Sequence, residues 1–185
     1  MSFTDDNRLI EACLRFDRKA QKALYEKYKK SWFLCCLRYA ANKAEAEDML
    51  QDAAMAIFSD LATYDARRGA FSTWSHRVVV HAALRYIRKW RPIDSLTDPE
   101  SSALLREDES ESVYEKMGAK ELLDMVQSLP TGYRLVFNLY VLEGFKHAEI
   151  AEKLNISVNT SKTQLLKAKR MLRKKLEALL QKDYP

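Results

Sequence analysis

The side chains that could carry chemistry are few and scattered. The candidates are His76, His81 and His147 together with Cys13, Cys35 and Cys36. Their spacing is not that of a metal-ligand set, and each cysteine lies in an apolar helical pattern typical of a buried thiol. The sequence has no paired carboxylates, no nucleophile with an adjacent base and no phosphate-cradling glycine loop. We therefore expect no cofactor, no metal site and no enzymatic activity.

Charge is the next feature that could act on a partner, and it is unevenly placed. Residues 1–91 carry a net charge of +6, residues 92–115 carry −7, and residues 146–182 carry +7. Two basic blocks separated by an acidic stretch suggest two surfaces for a polyanion such as nucleic acid. The alternative is that these are ordinary lysine-rich solvated faces.

The C-terminal basic block has the pattern of a helix-turn-helix between Lys146 and Leu172. Asn155 stands where the turn needs a left-handed backbone, and Ser157 can cap the second helix. Small Ala151 allows two helices to cross closely. The inward side of the first helix consists of Ile150, Ala151 and Leu154, and Ile156 fills the space between the helices. A helical hairpin inside a larger bundle would give a similar pattern.

The second helix of this motif has two contrasting sides. The predicted buried stripe consists of Leu165, Ala168, Leu172, Leu176 and Leu179. The side predicted to face the DNA major groove consists of Asn159, Lys162, Thr163, Leu166, Lys167 and Arg170. The candidates for phosphate contacts, which add affinity without sequence information, are Lys169, Arg170, Arg173, Lys174 and Lys175.

A basic stripe also marks the N-terminal block. Arg77, His81, Arg85 and Arg88 recur at helical spacing and could follow a DNA backbone. The aromatic candidates for stacking on unpaired bases are Tyr64, Phe71, Trp74 and Trp90. For Phe71 and Trp74 the spacing favours a place in the core instead.

The elements that must position these residues are helices, because Leu, Ala, Lys, Glu and Arg dominate and no long polar–apolar alternation occurs. Asn42 with Glu45 forms a capping-box pattern at one helix start, and Ser72 is a candidate cap for another. We predict an all-α fold of two small helical domains, residues 1–91 and 113–185, joined by a flexible acidic linker at 92–112. The predicted helices span about 7–16, 20–39, 42–61, 72–90, 113–128, 131–142, 146–154 and 158–181.

Several segments, taken in order, resemble the extracytoplasmic-function group of sigma factors in the sigma-70 family. Ala46 to Asp52 followed by Phe58 resembles the signature helix of sigma factors. Phe71 to Trp74 and Arg77 to Val80 resemble the promoter-melting segment. The matching segments of the second domain are Leu129-Pro130, Tyr133 to Gly144, Glu149 to Ala151 and Lys162 to Lys169.

The resemblance implies a sigma factor that binds core RNA polymerase and promoter DNA. Asp48, Gln51 and Asp52 match the positions that dock on the clamp helices of the largest polymerase subunits. By spacing alone they would be a solvated helix surface. The resemblance further implies that residues 1–91 recognise and melt the −10 element, with Arg67 and Arg68 in a pocket loop for a flipped base. Residues 113–185 would read the −35 element, and an anti-sigma protein would hold the factor inactive.

Departures from the family pattern occur where bases are read. His81 stands where the family usually has Asn, and Lys162 and Lys167 stand where arginines are common. Lysine lacks the bidentate guanine contact of arginine, so we expect a different promoter preference. Ser161 replaces a frequent buried valine, which we expect to weaken the hairpin packing slightly.

The alternative function is a helix-turn-helix regulator that never docks on polymerase, which would leave the side of Asp48, Gln51 and Asp52 unexplained. Residues 2–8 are polar and resemble no signal peptide, and no apolar run approaches the ~20 residues of a membrane span. We therefore expect a reduced, cytoplasmic protein without membrane insertion.

Overall fold

Helices are the only regular elements in residues 3–90 and 119–183, the part of the chain that the computed structural model describes. The all-α prediction is therefore confirmed for these residues. The chain divides into two compact units, Met1–Trp90 and Arg91–Pro185. The expected linker at 92–112 and the expected helix start at Val113 lie outside the described residues. Among the described helices, none combines the length and apolar content that crossing a membrane requires.

The helices lie close to their predicted positions, with revised ends. They are α1 Phe3–Leu14, α2 Arg18–Tyr39, α3 Lys43–Asp60, α4 Phe71–Trp90, α5 Ala119–Gln127, α6 Thr131–Phe137, α7 His147–Leu154 and α8 Val158–Asp183. Two short 3₁₀ turns, Leu61–Thr63 and Ala66–Arg68, separate α3 from α4. A π-helical turn, Asn138–Leu142, continues α6.

The first unit is built around α2, α3 and α4, which pack against one another, while α1 packs on α2. Leu24, Trp32, Met49, Ile57 and Leu84 have at most 1% of their surface exposed. Each such side chain contributes about 1.5–3 kcal/mol of burial free energy, so they fix how the three helices meet. The Trp32 Nε1–H donates to Ser75 Oγ across 3.1 Å, which satisfies the indole in the core.

The end of α1 differs from the prediction. Helical geometry stops at Leu14, and Phe16 has a left-handed backbone with φ 61°. The Phe16 N–H donates to Cys13 O (2.9 Å) and the Asp17 N–H to Ala12 O (3.1 Å), the hydrogen bonds of a Schellman ending. Asp17 then caps α2, because the Asp17 Oδ1 accepts the backbone N–H groups of the first turn of α2.

All three cysteines are buried, as predicted. Burial raises the pKa of Cys36 to about 12, and the neighbouring Cys35 adds to the rise. Burial also raises the pKa of Cys13. The Cys13 and Cys36 thiols therefore stay protonated at neutral pH and act as small core side chains.

The second unit packs α6 and α7 against α8, with α5 at one end of α8. Leu135, Leu139, Ile150 and Leu172 are essentially without exposed surface. Arg134 is buried as well, and its Nη1 donates to Gln127 O (2.8 Å) and Leu129 O (3.3 Å). The guanidinium thereby holds the turn between α5 and α6 through its carbonyl groups.

The predicted helix over 131–142 changes its hydrogen bonding after Phe137. The Glu143 N–H donates to Asn138 O across 3.0 Å, five residues back, and Gly144 turns the chain with φ 74°. Tyr140, Val141 and Leu142 are each about 40% exposed in this turn (39, 45 and 43%). The π turn thus ends the helix with apolar side chains at the surface.

Candidate functional site

Helix α3 presents an acidic side to solvent. Asp48, Gln51 and Asp52, which we call the acidic surface, are all exposed. Residues three and four apart share one side of a helix, so the three side chains form one patch. Met49 and Ala53 have no exposed surface and hold the other side against the core. The prediction that these three residues share the polar side of α3 is therefore confirmed.

The start of α3 has a modified capping box. Asn42 Oδ1 accepts the Glu45 N–H across 2.9 Å, as predicted. The Glu45 carboxylate accepts instead from the Ala41 N–H, across 2.5 Å, one residue before the predicted partner. Both bonds fix the first turn, so the acidic surface begins two turns from a rigid end.

Tyr86 of α4 is a residue of this surface that the sequence pattern missed. Its hydroxyl donates to Asp48 Oδ2 across 3.2 Å. Burial raises the pKa of Tyr86, and the hydrogen bond to Asp48 adds to the rise. No spacing rule connects positions 48 and 86, because the contact depends on how α3 packs against α4.

Met55 extends the acidic surface with an apolar group. It is 73% exposed and lies three residues after Asp52 on the same side of α3. The sequence did not indicate Met55 as a surface residue, because methionine is usually buried in the core. Methionine is enriched in protein–protein interfaces, and the neighbouring carboxylates would repel DNA.

Helix α4 carries the predicted basic stripe. Arg77, His81, Arg85 and Arg88 are all exposed and lie along one side of the helix. The opposite side, which includes Val79 and Ala83, is buried. The stripe is therefore held rigidly and open to a partner.

The loop between α3 and α4 is closed by its own contacts. Asp65 accepts from the Arg67 N–H and Nε (3.0 Å each) and from Arg67 Nη2 (2.9 Å). The Arg67 side chain lowers the pKa of Asp65 to about 2. Tyr64 Oη donates to Gly69 O across 3.1 Å. Arg67 is thus neutralised locally, which the sequence pattern did not predict, and Arg68 is the exposed cation of the loop without a described carboxylate partner.

The aromatic candidates for base stacking divide into three environments. Phe71 is 1% exposed and belongs to the core, as favoured from its spacing. Trp74 and Tyr64 are half-buried, with ring centroids 5.7 Å apart, and flank the loop. Trp90 is 63% exposed, and Lys89 Nζ lies 5.0 Å from its ring centroid. Trp90 therefore offers the largest open ring surface among the four.

The helix-turn-helix has the predicted turn. Asn155 adopts the left-handed conformation (φ 52°, ψ 49°), and the Ile156 N–H returns to Ala151 O across 3.0 Å. Ser157 Oγ accepts the Thr160 N–H across 2.9 Å and caps α8. The sequence predicted Asn155 and Ser157 from residue type alone, because turns and caps depend on residues close in the chain.

The predicted DNA-facing side of α8 is accessible. Asn159, Lys162 and Arg170 are exposed, whereas Thr163, Leu166 and Lys167 are half-buried. The predicted buried stripe holds from Leu165 to Leu176. It is wrong at Leu179, which is 40% exposed near the end of α8.

Two polar residues of α8 have roles other than those expected. Ser161 is fully buried, and its Oγ lies 2.9 Å from His147 Nδ1 on α7. The His147 ring stacks on Tyr140 with centroids 4.5 Å apart. The serine therefore makes a polar contact between the two helices of the motif. Lys175, predicted as a phosphate contact, donates to Ser128 Oγ at the end of α5 and is half-buried.

Comparison with known proteins adds independent information. Residues 24–92 match the family model of sigma-70 region 2, and residues 119–172 match that of sigma-70 region 4. The ECF RNA polymerase sigma factor SigW of Bacillus subtilis is 30% identical over 92% of this chain and 96% of its own length. The chain belongs to the extracytoplasmic-function group of the sigma-70 family.

This sigma factor has other relatives of similar length. The RNA polymerase sigma-H factor of Pseudomonas aeruginosa is 27% identical, with 95% of each chain covered. A solved structure of the sigma factor RpoE with the anti-sigma factor NepR from Bartonella quintana is 15% identical with a TM-score of 0.49, covering 84% of this chain and 96% of that one.

Membership of the family establishes the general function: the protein directs transcription initiation by RNA polymerase at promoters. Sigma factors of this family are binding proteins rather than catalysts. The alternative of a regulator that does not engage polymerase is not supported by these matches.

Proposed function

We propose that the two units divide the work of this sigma factor. Residues 1–91 would bind core polymerase and the −10 element, and residues 113–185 would read the −35 element. Residues 92–112 would act as a linker. One observation carries the proposal. Two packed helices of the first unit present surfaces of opposite character, acidic with Met55 on α3 and basic on α4. DNA is repelled by the first and attracted by the second, so one unit can hold polymerase and promoter at once.

The acidic surface is the proposed polymerase contact. Asp48, Gln51 and Asp52 would pair with polar and basic groups on the clamp helices, and Met55 would add apolar contact. Tyr86 fixes one orientation of the Asp48 carboxylate before binding. Such preorganisation lowers the entropy lost on docking.

The stripe on α4 and the loop before it form the proposed −10 surface. Arg77, Arg85 and Arg88 would follow the phosphate backbone, while His81 would donate a hydrogen bond to a base or phosphate. Trp90 at the end of the stripe would stack on an unpaired base. Arg67 and Arg68 would line the pocket for the flipped base, with Arg68 as its free charge.

In the second unit we propose base reading by α8. Asn159, Lys162 and Thr163 lie in its first two turns, where a recognition helix reaches base edges. Leu166 and Lys167 would contact a thymine methyl group and a guanine or phosphate. Arg170 would add a phosphate contact further along the helix.

We further propose an anti-sigma partner that covers these surfaces, as the resemblance to the extracytoplasmic-function group implies. The protein would act by binding alone, without a cofactor, in the cytoplasm where polymerase and promoters are found.

The proposal is tested by run-off transcription with core polymerase on DNA upstream of the gene for this protein. Wild type should give a defined transcript. Arg85→Glu should lose open-complex formation on linear duplex while keeping activity on a pre-melted template. Transcription with Lys162→Glu should no longer depend on the upstream element and should otherwise match that of wild type. Equal behaviour of the two variants on every template would contradict the proposed division.

A further inference from the structure

The turn between α1 and α2 exposes an aromatic ring that no other part of the described chain covers. Phe16 is 83% exposed, the highest value among the large apolar side chains of the described residues. Its neighbour Leu14 is 44% exposed. A single exposed apolar group is common, but the backbone conformation of Phe16 and the charges near it in the sequence set this one apart.

The Phe16 backbone occupies a position that suits glycine. With φ 61° it is the left-handed residue of the Schellman ending of α1. Bulky side chains rarely adopt this conformation, because Cβ approaches the following carbonyl. The ring gains no burial in exchange. A strained residue that no described part of the chain covers is a candidate for contact with a partner.

Four cations lie within six residues of Phe16 in the sequence: Arg15, Arg18 and Lys19, with Lys22 one turn further along α2. Arg15, Arg18, Lys19 and Lys22 are all exposed, and none forms an ion pair with a described carboxylate.

The acidic groups nearest in sequence, Glu11 and Asp17, offset only half of this charge, so residues 11–22 carry a net charge of +2. Asp17 Oδ1 already accepts the N–H groups of Lys19 (2.7 Å) and Ala20 (3.3 Å) as the cap of α2. Glu11 is exposed on the last turns of α1, four residues before Arg15. The turn as a whole keeps a positive potential.

The turn is separate from the proposed −10 surface. Asp6, near the other end of α1, accepts hydrogen bonds from Lys27 and Tyr28, each across 2.6 Å. Tyr28 contacts Phe71 at the start of α4 with ring centroids 5.1 Å apart. At 1.5 Å per residue, the helix from Asp6 to Leu14 is about 12 Å long. The −10 surface therefore lies near the first turns of α1, and Phe16 lies beyond its last turn.

We propose that Arg15, Phe16, Arg18, Lys19 and Lys22, the α1–α2 tip, bind single-stranded nucleic acid, with Phe16 stacked on an unpaired base and the cations on the flanking phosphates. An open ring between cations matches both the π-face of a base and the charge of its backbone. Duplex DNA hides its base faces, so it would use the cations alone.

The test measures binding of fluorescent oligonucleotides to the full-length chain by anisotropy. Phe16→Gly should weaken single-strand binding about fivefold or more, leave duplex binding unchanged, and leave the melting temperature equal or higher because glycine suits φ 61°. Phe16→Trp should bind as wild type and Phe16→Leu should bind like Phe16→Gly. On a strand without bases, Phe16→Gly should have no effect.

Charge reversals complete the design. Arg18→Glu and Lys19→Glu should each weaken single-strand binding and reduce the salt dependence, by about 0.7 in log–log slope per lost phosphate contact. Lys43→Glu, an exposed lysine on α3 paired with Glu47, is the matched control and should change binding less.

The proposal is overturned if Phe16→Gly binds single strands within twofold of wild type, or if Phe16→Leu binds as well as Phe16→Trp. A photo-reactive phenylalanine at position 16 of the assembled holoenzyme provides a separate check. Cross-links to nucleic acid support the proposal, and cross-links to polymerase subunits alone mean that the tip is a protein contact instead. Neither result depends on the roles proposed for Asp48 or Lys162.

Discussion

Tyr86 on α4 donates its hydroxyl to Asp48 on α3, joining the proposed DNA-binding helix to the proposed polymerase-binding helix across 3.2 Å. The tyrosine lies between Arg85 of the basic stripe and the core residue Ile87. Its ring also neighbours Trp90, with centroids 6.3 Å apart. The carboxylate therefore faces solvent with one orientation favoured, rather than rotating freely.

This contact predicts a coupling between Tyr86 and Asp48 in polymerase binding. Tyr86→Phe removes only the hydroxyl, so we expect core polymerase to bind about threefold to tenfold less tightly, as for the loss of one hydrogen bond of typical net strength. In an Asp48→Asn background the same change should have little further effect. Isothermal titration with core polymerase gives all four affinities, and additive losses would contradict the coupling.

The pocket loop predicts a gain of charge when its internal pair is broken. Asp65→Asn removes the carboxylate that neutralises Arg67, so the chain should bind non-specific single strands more tightly at low salt. The log–log salt slope should become steeper by about 0.7 if Arg67 gains a phosphate contact. Asp65→Asn with Arg67→Ala should return to the wild-type slope. An unchanged slope in the single variant would show that Arg67 faces no phosphate.

The contact between His147 and Ser161 predicts that serine stabilises the helix-turn-helix. Ser161→Ala should lower the free energy of unfolding of the second unit by about 0.5–1.5 kcal/mol, the net contribution of one hydrogen bond. Ser161→Val, the residue frequent in the family, should not recover this loss. Urea unfolding followed by circular dichroism measures both. A valine variant more stable than wild type would restore the original expectation that serine weakens this packing.

The Cys36 thiol predicts a loss of stability in alkali. Burial raises the pKa of this thiol in the folded protein from its ordinary value of about 9 to about 12, so the unfolded chain releases the proton at lower pH than the folded chain. The contribution of the thiol to the free energy of unfolding is complete below about pH 9. It falls between pH 9 and 12, by up to about 1.4 kcal/mol per pH unit. Cys36→Ala should flatten this slope. Equal slopes in both proteins would exclude the thiol as a cause.

Features that depend on neighbouring residues were predictable from the sequence. The left-handed Asn155, the Ser157 cap and the Asn42 cap follow from side-chain chemistry within three or four residues. The exposed sides of α3, α4 and α8 follow from helical periodicity in the same way.

Features that depend on how helices meet were not predictable. The pairs Tyr86–Asp48 and His147–Ser161 join positions 38 and 14 residues apart, and only the packed structure brings them together. Leu179 shows the same limit, because periodicity gives the side of a helix but not where its partner ends. Phe16 shows a third limit: a polar or apolar pattern carries no signal for a left-handed aromatic residue.

The acidic surface of α3 is the proposed polymerase contact, and the affinity of core polymerase for full-length variants tests this role most directly. Asp48→Lys and Lys162→Glu each reverse one exposed charge, on α3 and α8 respectively. We predict that Asp48→Lys weakens core binding at least about tenfold, since like charges would meet in the interface. Lys162→Glu should bind core polymerase within about twofold of wild type. Wild-type affinity in Asp48→Lys, or equal losses in both variants, would contradict the account.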